Sequence, residues 1–198
     1  ADPPLAHKIG RAEPDRRVKF PRSRTGLPVA AVETPAGPRA LHSLFDPVKE
    51  GRRHLDGNPR DGFFLFFGLG CGYHILPFLE LPDITGIVVV EKDAGYVRSV
   101  LEAVDLRLFF LDPRVRVLVD PSPGELRDFL LSNYFPAVSG DLHTVSLRSR
   151  VDLEEEFFRS CLRVVKESLD ALSDDFTVQA KFGKKWFEIG RASCRARV

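Results

Sequence analysis

The chain has 198 residues, 43% of them hydrophobic, enough to bury a core for one domain plus appendages. Charged residues make up 29% and nearly cancel, at a net charge of +1, so there is no basic footprint of the kind nucleic-acid binding requires. No window approaches the roughly 18 consecutive apolar residues of a membrane-spanning helix, and the opening ADPPLAHKIGRAEPDRR lacks the apolar core of a signal peptide.

Residues 1–40 read as a proline- and arginine-rich extension with one strand-like run, Val29–Val32. The turn signal Thr34-Pro35-Ala36-Gly37-Pro38 follows it, so Ala40-Leu41-His42 is expected to pair back as a hairpin. Asp46-Pro47 places a favoured N-cap before a residue pre-organised for the first helical turn, predicting a helix that runs to about Leu55. Phe63–Phe67 is a short, wholly apolar run, as in a strand buried on both faces. An apolar segment of helical length follows Gly68-Leu69-Gly70-Cys71-Gly72, although Pro77 interrupts that helix unless it lies in the first turn.

Ile87–Val90 repeats the strand signal, and Ala94–Val104 has helical periodicity through Val97, Val100, Leu101 and Val104. Val115–Val119 predicts a third strand, Pro123–Leu131 a helix, and Leu142–Leu147 a fourth strand. From Asp152 to Leu172 the apolar positions Leu153, Phe157, Leu162, Val165, Leu169 and Leu172 predict one long amphipathic helix. The alternation argues an α/β fold: a Rossmann-like, doubly wound, mostly parallel sheet over residues 41–150, preceded by a small β-hairpin region and followed by a long helix.

The glycine turn poses the functional question. Gly68, Gly70 and Gly72 fall at the carboxyl edge of the first strand, where open α/β sheets bind ligands, and helix amides there would offer positive ends. Glu91 ends the second strand, where a carboxylate can accept hydrogen bonds from ribose hydroxyls, and Asp120 ends the third at the same edge. The spacing GxGxG is closer to an S-adenosylmethionine methyltransferase than to a dinucleotide enzyme, so an S-adenosylmethionine-like or nucleotide ligand is one expectation. The other is a purely structural turn, because a tight strand-to-helix connection needs glycine whether or not anything binds. No catalytic element such as Asn-Pro-Pro-Tyr follows.

Other chemistry-bearing residues have bland readings beside the functional ones. A thiol at a helix N-terminus would be activated, but no base is placed next to Cys71, which reads as a small packed side chain. His74 can face the same crevice, and His42, His54 and His143 are too dispersed in sequence for a metal site. Glu154–Glu156 read as a solvated first helical turn. Lys181, Lys184, Lys185 and Trp186 form a basic cluster with the character of a solvated helix end. Cys71, Cys161 and Cys194 form no CxxC pair, which fits a reducing cytoplasm.

Four ordered stretches resemble one family. LHSLFDPVKEGRRHLD (Leu41–Asp56), FFGLGCGYHI (Phe66–Ile75), IVVVEKDAGYVRSVLEAVDL (Ile87–Leu106) and KFGKKWFE (Lys181–Glu188) are similar to the bacterial motility accessory factor (Maf) proteins. These are flagellin glycosyltransferases with a 6-hydroxymethylpterin diphosphokinase MptE-like central domain. The resemblance spans about Leu41 to Phe187 and implies a Rossmann-like N-terminal module, with FGKKWF opening the central domain, so residues 151–187 would be a linking helix and the start of that domain. It further implies that transfer of a nonulosonic acid from a CMP-sugar donor to flagellin belongs to the central domain, that no catalytic residue carries over to this stretch, and that the module alone is inactive. An S-adenosylmethionine-binding domain and a ligand-free interaction module are the alternative readings.

Both ends carry expectations of their own. Methionine is absent even at position 1, which suggests a start other than a native first codon. The last residues, EIGRASCRARV, resemble a sequencing adaptor translated in frame, and without them the net charge becomes −1.

Overall fold

The computed structural model describes residues 3–172. The Lys181–Glu188 motif with its basic cluster, Cys194 and the expected foreign tail from Glu188 lie outside the described residues. A helix not anticipated from the sequence opens the chain, α1 (Pro3–Arg11), which packs on α4 and β6, described below, through core residue Ile9. Strand β1 (Val18–Lys19) then pairs antiparallel with β2 (Ala31–Thr34), and β2 with β3 (Gly37–Ala40), in the register Val32↔Arg39. The expected hairpin is therefore present, shifted by two residues and joined by a third strand that turn-rich residues 20–28 had hidden.

Helix α2 (Pro47–Asp56) starts as its cap signal predicts, with the Asp46 carboxylate accepting from the Lys49 amide at 2.9 Å. The main sheet is built from β4 (Gly62–Phe67), β5 (Ile84–Glu91), β6 (Val115–Val119) and β7 (Leu142–Ser146), all parallel, in the order β6-β5-β4-β7. Helices α3 (Leu76–Leu79), α4 (Ala94–Ala103) and α5 (Arg107–Leu111) connect β4 to β5 and β5 to β6. Helices α6 (Pro123–Asn133) and α7 (Pro136–Ser139) lead into β7. The start of α6 is fixed by a capping box: Ser122 Oγ accepts from the Glu125 amide, and the Glu125 carboxylate accepts from the Ser122 amide.

Every residue of β4 is buried, and the two faces of the central strands feed two separate cores. Phe64, Phe66, Ile87 and Val89 pack with Phe78 of α3 and Tyr96, Val97 and Val100 of α4. Phe63, Leu65, Phe67, Val88 and Val90 pack with Leu126 and Leu130 of α6 and with a last helix, α9 (residues 155–172). The change of face follows from handedness. Two right-handed crossovers carry the chain from β4 to β5 to β6 with their helices on one side, and the return to β7, beyond β4, puts α6 on the other.

One expectation needs correction. The segment after the glycine turn is not a long helix: Pro77 sits in the first turn of α3, which ends after four residues, and turns fill the space between it and β4. The long helix expected over 152–172 is present as α9, starting three residues later, and a separate short helix, α8 (Arg148–Val151), precedes it. Leu153 packs with the first core, whereas Phe157 and Phe158 pack with the second, and a straight helix could not place them on opposite sides of the sheet. Among the described residues, no helix is long and apolar enough to cross a membrane.

Candidate functional site

At the carboxyl edge of β4, the glycine turn is lined by the chain's own side chains. Gly68, Gly70 and Gly72 all have positive φ, and a Cβ on Gly70 would fall 2.3 Å from His42 Nε2 and 2.5 Å from Leu147 Cδ2. At Gly68 the neighbour is Arg150, with Cγ 2.8 Å from the same construction, and at Gly72 it is Leu106. Above the turn, residues leading into β2 form a roof: the Ala30 amide lies 3.1 Å from Cys71 Sγ, and Tyr73 Oη donates to the Pro28 carbonyl at 2.9 Å. The close approach that glycine permits here is to protein. With only a one-turn helix beginning at Leu76, no helix amide is presented at the turn itself.

Glu91 is the residue for which the structure changes the reading most. It was expected to face a ribose; instead it is fully buried and ion-paired to Arg150, Nη2 to Oε1 at 2.6 Å, with Nε 3.3 Å from Oε2. The Leu69 amide donates to Oε2 at 3.0 Å and the Lys92 amide to Oε1 at 2.6 Å, so both oxygens are occupied within the chain. The Arg150 guanidinium also lies over the Tyr96 ring at 4.8 Å. Burial opposes the charge on Arg150, but the Glu91 carboxylate outweighs it and raises the guanidinium above its ordinary value. Asp120, the other carboxylate expected at this edge, adopts positive φ and accepts from Lys92 Nζ at 2.5 Å on the exposed rim. The sheet thus brings Glu91 onto the glycine turn through the Leu69 amide, while the Asp120 carboxylate faces elsewhere.

Cys71 is wholly buried, and desolvation pushes its thiol up to about 12, so the packed-side-chain reading applies and an activated nucleophile does not. Beside it, three histidines dispersed in sequence converge. His42 Nε2 accepts from the Cys71 amide at 3.0 Å, which leaves the ring proton on Nδ1 to donate to Glu50 Oε2 at 3.3 Å. The Ser43 amide donates to the same oxygen at 2.8 Å. Burial favours the protonated form of Glu50, but the hydrogen bonds from His42 and Ser43 prevail and lower its carboxyl. The His74 ring lies 5.3 Å from His42 in a tilted contact and 5.8 Å from His54 edge-on, and neither of its ring nitrogens has a hydrogen-bond partner among the described residues. No group of three or more His, Cys, Asp or Glu side chains among the described residues is disposed to hold a metal ion.

The histidine cluster makes stability depend on pH in a defined direction. Burial, and then the proximity of His42 and His54, push His74 well below its ordinary value; burial also lowers His54. Both rings therefore take up protons on unfolding, so the folded state loses stability as pH falls below about 6.5, where the unfolded rings begin to charge. The slope approaches about 1.4 kcal/mol per pH unit for each ring that charges only on unfolding. Urea denaturation at pH 7 and pH 5 is expected to show a marked drop for the wild type and a smaller one for His74→Leu; equal drops for both would contradict it.

The sheet order defines one more feature. Strand order reverses between β4 and β7, the topological switch point, and a cleft of about 460 Å³ opens there, lined by residues 40–43, Glu50, His54 and residues 146–149.

No family model matches this chain. No curated protein matches it either. Among solved structures it is similar to the spermidine synthase from Thermotoga maritima, at 16% identity and a TM-score of 0.37 over 57% of this chain and 44% of that one. It is also similar to a spermidine synthase in complex with the transition-state analogue AdoDATO, at 16% identity and a TM-score of 0.42 over 74% of this chain and 52% of that one. The chain spans about half the length of these structures.

Arg150, His42 and Glu50 are the site residues that sequence reasoning missed. Arg150 had a usable signal, since a glutamate closing a strand as apolar as Ile87–Val90 must find a cation or lie at the surface. His42 and Glu50 had none, because only the turn between the small sheet and α2 brings them to Cys71.

Proposed function

We propose that residues 3–172 form a non-catalytic Rossmann-like support module of a motility accessory factor-type glycosyltransferase. In this reading, the transfer of a nonulosonic acid from a CMP-sugar to flagellin resides in the central domain that FGKKWF opens in that family, and the module supports that domain and helps to engage flagellin. The observation that carries the non-catalytic part is Arg150 on Glu91: the carboxylate that would hold a ribose is neutralised inside the chain, under a turn filled by His42, Leu147 and Leu106. The family part rests on the four ordered motifs. The alternative, an S-adenosylmethionine site at the turn, would require Arg150 to leave Glu91.

The test has two arms. Calorimetric titration of the protein with S-adenosylmethionine is expected to give only heats of dilution, and incubation with flagellin and a CMP-nonulosonate donor is expected to leave the flagellin mass unchanged. Immobilised protein is expected to retain purified flagellin above the level seen with an unrelated protein. Saturable S-adenosylmethionine binding, or sugar transfer by this chain alone, would overturn the non-catalytic reading; failure to retain flagellin would remove the acceptor role.

A further inference from the structure

The cleft between the carboxyl ends of β4 and β7 differs from the glycine turn beside it: several of its polar groups keep hydrogen-bonding capacity to spare. Arg148 is exposed and has no ion-pair partner among the described residues. Ser43 Oγ accepts from the amides of Phe45 and Asp46, at 3.2 and 3.3 Å, which leaves its own proton to donate outward. Glu50 receives both its hydrogen bonds on Oε2, so Oε1 is free to accept among the described residues. Ser146 and His54 complete the lining without side-chain hydrogen bonds among the described residues. One wall is fastened to the other, because Ser149 Oγ donates to the Leu41 carbonyl at 2.6 Å.

A guanidinium and hydroxyl donors near one carboxylate acceptor match a ligand that has both an anion and hydroxyl groups. Arginine favours phosphate through its fork of donors, and a carboxylate oxygen with spare lone pairs accepts from sugar hydroxyls. At about 460 Å³ the cleft suits a monosaccharide-sized ligand rather than a dinucleotide. We propose that the β4–β7 cleft binds a small phosphorylated polyol such as a sugar monophosphate, with Arg148 on the phosphate and Glu50 Oε1 on a hydroxyl. The site is separate from the closed β4–β5 crevice and does not depend on the flagellin reading. The order reversal at β4 provides the opening, since connections leave the two strands in opposite directions there.

The probes are ribose 5-phosphate, inorganic phosphate and ribose, titrated at millimolar concentration into the isotopically labelled protein and followed by amide chemical shifts. Ribose 5-phosphate is expected to shift Ser43, Ser146 and Ser149 saturably, more tightly than either phosphate or ribose. Arg148→Ala is expected to weaken that binding about tenfold or more, as loss of a charged hydrogen bond does, while Arg163→Ala, at an exposed position of α9, leaves it unchanged. Arg148 is exposed, so this variant tests binding without threatening the fold. No saturable shift, shifts that survive Arg148→Ala, or phosphate binding as tightly as ribose 5-phosphate would each overturn the proposal.

Discussion

Arg150→Ala is expected to lower stability by about 3–5 kcal/mol, the range found when one member of a buried ion pair is removed. Both side chains are essentially inaccessible, 4% exposed for Arg150 and 0% for Glu91, so solvent cannot replace the guanidinium. The Leu69 and Lys92 amides would remain on the carboxylate but cannot neutralise it. Guanidinium denaturation of the single variant and of the double variant Glu91→Met/Arg150→Met separates the causes. The double variant is expected to be more stable than Arg150→Ala alone, because it leaves no buried charge, yet less stable than the wild type, because two amides lose their acceptor. A loss under about 1 kcal/mol in Arg150→Ala would mean that water or a ligand reaches Glu91. The β4–β5 crevice would then be open, and the S-adenosylmethionine reading would regain its ground.

Gly70→Ala is the second large effect. The left-handed backbone at φ 52° costs a non-glycine residue about 1–2 kcal/mol. The added Cβ, at 2.3 Å from His42 Nε2 and 2.5 Å from Leu147 Cδ2, adds an overpacking cost of about 1–3 kcal/mol. Displacing the His42 ring would also break its bond from the Cys71 amide and loosen its hold on Glu50. A total loss of about 2–5 kcal/mol is expected in thermal or denaturant unfolding. Gly124→Ala in α6 is the control: nothing lies within 4 Å of its Cβ, and it is expected to be neutral or to stabilise by up to about 1 kcal/mol. Were the turn's glycines kept only for a ligand, Gly70→Ala would leave the unfolding midpoint where it is.

The main sheet was legible in the sequence because its strands are extreme. β4 is apolar throughout and β5 is apolar over Ile87–Val90, as burial on both faces demands, and the caps Asp46, Asp93 and Ser122 stand at or next to the predicted helix starts. Helix α1 was not legible because its proline-rich start reads as coil and its burial depends on α4, almost a hundred residues away. The site was half legible. Spacing put Gly68, Gly70, Gly72 and Glu91 at one edge, but whether that edge is a crevice or a plug is decided by Arg150 and His42, which arrive from opposite directions along the chain. Local pattern does not encode which side chain reaches a gap first.

The position of β7 has a consequence for the order of assembly. Strand β4 is central, yet its partner on one side begins with Leu142, paired to Phe63. On a growing chain, the apolar β4 edge must wait for about 80 further residues, roughly 4–16 s at ordinary rates of synthesis. During that interval β4, β5 and β6 can pair, but β4 presents a bare row of amides and carbonyls flanked by phenylalanines, the kind of edge that recruits stray strands. Arrival of β7 closes that edge, and α9 then covers the phenylalanines on the second face. The last fifth of the described chain thus acts as the latch that ends the vulnerable phase of its own synthesis.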